Sequence, residues 1–130
     1  MADVRPIADL APASFLKIGR AAEFLALIEG RLREKTLRHS VSVARMLVEI
    51  GDTAGVEPVQ AVTAGLLHDL AKGMNESELL DAAQAYAIPI SETRRAHPKL
   101  LHGPVAAEWC RRQLDVHDEA VCDAIAWHTT

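Results

Sequence analysis

Aromatic residues are scarce in this chain: two Phe, two Trp and one Tyr among 130 residues, or 4%. A core short of large rings has to be built mostly from Ala, Leu, Val and Ile, which favours packed helices. Cysteine is scarce too. Cys110 and Cys122 are too far apart for a CxxC redox or zinc pair and read as reduced, half-buried core residues. Positive charge is not in excess, with 14 Lys and Arg against 18 Asp and Glu for a net charge of -4. That balance argues against broad nucleic-acid binding, which needs a basic face to displace counterions from phosphates. No apolar run approaches membrane-spanning length, and the opening "MADVRPIADLAP" puts acids and two prolines where a secretion signal needs a cationic and then an apolar stretch. The expectation is a cytoplasmic protein with no membrane or nucleic-acid partner. A length of 130 residues suits one domain with a real core.

What is present is helical periodicity. Residues 1–12, with Pro6 and Pro12, read as a loose arm or short cap. "SFLKIGRAAEFLALIEG" predicts an amphipathic helix from Ser14 to Gly30. A second helix is predicted from about Leu32 to Asp52, stopping near Gly51 and Gly55; on it Leu32, Thr36, His39, Val43, Met46, Leu47 and Ile50 share a face, which would turn His39 inward. Pro58 suits the first turn of a third helix running through Ala71 to Gly73. On that helix Ala61, Ala64, Gly65, His68 and Lys72 share a side, small enough for another helix to approach. Asn75 and Glu78 offer a capping box for a helix ending before Pro89. The stretch from Pro89 to Gly103 reads as loop or a short helical turn. Pro104 fits a first helical position, placing His102 at a helix N-terminus, and "DEAVCDAIAWHTT" aligns Val121, Ile125 and His128 on a last helix. No strand pattern, repeat or low-complexity segment is visible. The fold class is therefore all-α, a bundle of five to six helices.

Within "AGLLHDLAK", His68 and Asp69 stand side by side in an apolar run. Burying either group without a partner is costly, and Leu67 and Leu70 supply no compensation. A single histidine on an apolar face is more often a satisfied core residue than a ligand. His39, the His68–Asp69 pair, His102 and His128 together reverse that balance, because inward histidines from separate helices can converge inside a bundle on a metal. Imidazoles with a carboxylate suit Zn, Fe, Mn or Ni rather than Ca or Mg. Lys72 is either a phosphate-binding charge that stabilises a transition state or a solvated cation near a helix C-terminus. Arg38 is a phosphate contact or a surface residue, the surface being favoured, and Lys99 is a weaker phosphate-contact candidate. His97 and His117 match no ligand position and are expected to be exposed.

Four ordered motifs, "LRHSVSVA", "AGLLHDLAK", "HPKLLHGPVAA" and "AIAWHTT", resemble the HD-domain metallophosphohydrolases, and within them the YqeK family of symmetrical bis(5'-nucleosyl)-tetraphosphatases. The likeness covers about residues 31–130. It implies an HD-domain helical bundle over residues 13–130 that cleaves diadenosine tetraphosphate to two ADP by attack of a metal-bound hydroxide. It implies two transition-metal ions, iron first, with Mn, Zn, Co or Ni as alternatives. His39, His68 and Asp69 would hold one ion, and Asp69 would bridge to a second held by His102 and His128. Two such ions, about 3.5–4 Å apart, can share a water and clamp phosphoryl oxygens. With the resemblance in hand, Lys72 leans towards a catalytic, substrate-binding role beside Asp69.

Relatives continue past "HTT" with a glycine and a helix carrying another aspartate, whereas this sequence stops at Thr130. The expectation is a C-terminally short domain whose first ion lacks its usual fourth protein ligand. Water, a carboxylate from another chain, or incomplete metal retention are the open outcomes, and a homodimer is one way to cover an exposed apolar patch. Two competing functions follow: an HD hydrolase for another nucleotide, and a catalytically incomplete module that binds a nucleotide or protein partner.

Overall fold

The computed structural model describes residues 5–129, apart from the side chain of Asp52. Of the arm expected over 1–12, residues 1–4 lie outside the described part. The described residues are helical with no strand, as the all-α expectation required. Six helices have nine residues or more. None is long and apolar enough to cross a membrane among the described residues. The chain forms two compact units that divide between Leu66 and Leu67.

In the first unit, α1 (Ile7–Leu10) and α2 (Ala13–Leu16) are single turns, followed by α3 (Ala21–Glu29), α4 (Glu34–Ala54) and α5 (Pro58–Leu67). One helix was predicted over 14–30; the structure breaks it between α2 and α3. Gly19 adopts φ +50 there, a left-handed torsion that a continuing right-handed helix cannot contain. Gly55, with φ +75, ends α4 as a left-handed C-cap and donates its N–H to the Gly51 carbonyl. Leu10, Phe15, Phe24, Ile28, Leu37 and Val41 are core residues of this unit.

The face of α4 that is buried is not the one predicted. Leu37, Ser40, Val41 and Ala44 are buried, whereas His39 is exposed and Met46 and Ile50 are half exposed. Small side chains decide the matter. A Cβ on Gly65 of α5 would lie 2.4 Å from the Ala44 Cα, so the two helices meet backbone to backbone. The strip of α4 carrying Ser40 and Ala44 permits that approach, and Met46 and Ile50 are turned away. The small-residue contact on α5 is thus present, but it takes the side of α4 opposite to Met46.

The second unit begins at the end of α5 and continues through α6 (Glu76–Ala85), α7 (Glu92–Ala96), a 3-10 turn (Pro98–Leu101), α8 (His102–Gln113) and α9 (Glu119–Trp127). The Asn75–Glu78 capping box forms as predicted: Asn75 Oδ1 accepts from the Glu78 N–H at 2.8 Å and Glu78 Oε1 from the Asn75 N–H at 2.9 Å. The helix α8 starts two residues before Pro104, placing the proline third rather than first. Proline is tolerated there because the amides of a first helical turn have no intrahelical acceptor. Helix α8 packs on α6 and α9, and the 3-10 turn packs on α6, α7 and α8. Leu79, Leu101, Val105, Cys110, Cys122 and Ile125 are buried among them. Burial, with Cys122 beside it, pushes the Cys110 thiol up to about 12, so both cysteines are inert core groups, more deeply buried than expected.

Candidate metal centre

The third helix was expected to carry His68 and Lys72 on to Gly73. It stops at Leu67, and the chain tightens into successive turns, with the Leu70 N–H bonded to the Leu67 carbonyl and the Lys72 N–H to the Asp69 carbonyl. Three-residue turns of this kind are common at helix ends. They bring the ring of His68 onto its neighbour: His68 Nε2 lies 3.3 Å from Asp69 Oδ2. The Asp69 side chain is only 5% exposed.

Its other oxygen faces two more imidazoles. His102, the first residue of α8, places Nε2 3.3 Å from Asp69 Oδ1, and His128, just after α9, places Nε2 3.2 Å from the same oxygen. The two Nε2 atoms are 3.1 Å apart. His128 does not lie on the last helix with Val121 and Ile125, as predicted, but caps it. Its ring meets those of His68 and His102 edge on, at centroid separations of 5.1 and 4.9 Å.

The opposite ring nitrogens are already engaged. His102 Nδ1 is 2.7 Å from the Lys99 carbonyl and His128 Nδ1 is 2.6 Å from the Ile125 carbonyl. A carbonyl only accepts, so in each ring Nδ1 carries the proton and the neutral ring turns a lone pair outward at Nε2. Two lone pairs and a carboxylate oxygen therefore converge on one point. Three acceptors in contact repel unless a cation stands among them. A proton or a metal ion satisfies them, and histidines anchored through Nδ1 to a backbone carbonyl are the usual dress of metal ligands. Asp69, His102 and His128 thus fit a divalent transition metal in donor type and geometry. Where a proton rather than a metal fills that point, the imidazoles of His102, His128 and His68 donate to Asp69; these bonds outweigh the burial that pushes its carboxyl up and hold the group well below the usual carboxylate range.

His39 stands near the start of α4 in the first unit. Arg38 donates Nε to Glu34 Oε1 at 2.8 Å and Nη1 to the Arg5 carbonyl. Lys99 donates Nζ to the Met74 carbonyl at 3.0 Å, tying the 3-10 turn to the segment before α6. Lys72 is exposed in the turn after Asp69. His97 and His117 are exposed, as expected, and His117 Nε2 pairs with Asp115. Sequence reasoning missed the carbonyls of Lys99 and Ile125, which no residue type announces. Their only trace is position, three residues before His102 and His128.

A histidine and aspartate pair joined by histidines from later helices defines a class, and the HD domain family model matches residues 36–130. The chain belongs to the HD domain family. Over 108 residues it is 31% identical to the symmetrical bis(5'-nucleosyl)-tetraphosphatase of Bacillus subtilis (strain 168), covering 83% of this chain and 58% of that protein. It is 31% identical over 109 residues to the enzyme of the same name from Staphylococcus aureus (strain NCTC 8325 / PS 47), covering 80% and 53%. A solved structure from Clostridium acetobutylicum, described as a predicted HD superfamily hydrolase involved in NAD metabolism, superposes with a TM-score of 0.80 at 25% identity, over 84% of this chain and 58% of that one. This chain thus spans little more than half the length of these relatives.

Proposed function

We propose that the protein is a metal-dependent phosphohydrolase that cleaves diadenosine tetraphosphate symmetrically to two ADP. The observation that carries this reading is the convergence of Asp69, His102 and His128 on one point, with Asp69 Oδ2 left to face His68. One carboxylate with an oxygen directed to each side is suited to bridge two ions. On this reading His102 and His128 would hold one ion together with Asp69, and His68 would hold the other, also with Asp69. His39 joins the second set on its motif, which lies inside the matched family region. Bound divalent metal, with iron as the first candidate, supplies a water of lowered pKa and Lewis-acid polarisation of phosphoryl oxygens.

The chain's own groups do the rest. Asp69, ionised by its neighbours, holds negative charge at the centre without needing to lose a proton first. Lys99 and Ile125 fix the imidazole tautomers through their carbonyls. Lys72, on the turn that carries Asp69, is the cation offered to the polyphosphate, where developing charge on the transferred group needs a fixed positive partner. Arg38 and Lys99, each already bonded to protein acceptors, are secondary phosphate contacts on this reading.

Anaerobic incubation of the purified chain with diadenosine tetraphosphate and Fe(II) or Mn(II), with products resolved by chromatography, tests the proposal. ADP as sole product, abolished in His68→Ala, is the expected result. Metal uptake without turnover would overturn it in favour of a nucleotide-binding module. The structural neighbour described as involved in NAD metabolism favours a second substrate reading, another nucleotide, and a nucleotide panel in the same assay separates the two.

A further inference from the structure

The two rings that face each other across Asp69 Oδ1 come from the beginning of α8 and from the residue beyond α9. His128 lies past the last helical residue, where helices fray and nothing intrinsic to the helix holds a side chain. Two contacts oppose that fraying. Thr129 donates its hydroxyl to the Leu100 carbonyl at 2.9 Å, and Leu100 directly follows Lys99, whose carbonyl holds His102 Nδ1. On the α8 side, Gly103 leaves a gap that the end of α9 occupies. A Cβ at Gly103 would lie 2.7 Å from Thr129 Oγ1, 2.8 Å from the Ala126 carbonyl and 3.0 Å from the Ile125 carbonyl. Ile125 is the residue whose carbonyl holds His128 Nδ1. Gly103 is needed for space, since it sits within the helical span of α8.

We propose that Gly103 and Thr129 form an interlock that positions His102 and His128 as a pair, fixing their Nε2 atoms at the spacing one ion requires. The inference rests on the metal reading above. Both are positioning residues: the glycine lets the two helix ends close, and the hydroxyl pins the end that carries His128 to the turn that carries the acceptor for His102. Neither touches the reacting groups.

The test is Co(II) titration of the full chain, followed by visible absorption, for the wild type, Thr129→Val, Thr129→Ser and Gly103→Ala. Imidazole 15N spectra of the metal-free proteins are recorded alongside. Thr129→Val should weaken binding by roughly 10- to 100-fold, the range for partners that orient ligand histidines, and Thr129→Ser should restore most of it. Gly103→Ala should weaken it further. In metal-free Thr129→Val, the His128 signals should move from the Nδ1-protonated pattern towards mixed tautomers. Unchanged affinity and unchanged imidazole signals in Thr129→Val would overturn the interlock, as would an equal loss in Thr129→Ser. If Gly103→Ala loses its helical circular dichroism, the threonine pair decides. If the wild type takes up no Co(II), the metal reading falls, and the 15N spectra alone judge the interlock: it stands if the valine variant shifts them and falls if not.

Discussion

Asp115 and Asp69 both face histidine, and they differ in almost every other respect. Asp115 and His117 approach to 2.6 Å, yet their side chains are 89% and 64% exposed. Around Asp69 the contacts are longer, 3.2–3.3 Å, but there are three of them, and the carboxylate is 5% exposed. Proximity alone therefore identifies nothing. An exposed ion pair is screened by water and contributes at most about 1 kcal/mol. A buried carboxylate among lone pairs demands a cation, and that demand makes a site.

The largest expected effect comes from removing the centre of the second group. Asp69→Asn should lower metal affinity by more than about 100-fold, beyond the range for orienting partners alone, while Asp115→Asn leaves it unchanged; Co(II) titration of both variants makes the comparison. Next come the rings. His128→Ala should abolish uptake at the His102 pair, and His117→Ala should leave metal stoichiometry as it is, measured by plasma emission on desalted protein. An equal loss in both would erase the distinction between the two clusters.

A smaller effect is expected in acid. Because Asp69 is held below the ordinary aspartate value of 3.8, its ionised form stabilises the folded state fully above that value, and the contribution is lost only as pH falls through the lower folded-state value. The 13C signal of the Asp69 carboxyl should accordingly remain that of a carboxylate at pH 3, and a protonated signal there would show that the imidazoles do not outweigh burial. The smallest effect concerns the thiols. With Cys110 pushed up to about 12, stability is full below about pH 9, the ordinary thiol value, and declines as pH rises towards 12; native protein at pH 8 should resist a thiol reagent until denatured.

Much of this was legible in the residues. Asn75 and Glu78 announce their capping box, and His68 with Asp69 in an apolar run announces a polar centre, because both signals are local. The face of α4 was not legible: periodicity selects the strip richest in large apolar residues, whereas the structure buries the strip of Ser40 and Ala44 that lets a backbone come close. The end of α5 at Leu67 carried no glycine or proline to mark it. Gly19 did mark the break before α3, but helical spacing on both sides masked it. Nothing in the sequence marks Gly103 and Thr129 beyond their standing next to His102 and His128, since their contact depends on two helix ends meeting in space.

Both outer rings of the Asp69 cluster have surrendered their torsional freedom to backbone carbonyls before any ion arrives. The entropy of arranging that pair is a cost of folding rather than of binding. Discrimination among metals at such a preset pair then follows the ions' own preferences for nitrogen and oxygen donors, Cu(II) above Zn(II) and both above Mn(II). Which ion such a pair would take up would accordingly reflect supply as much as shape.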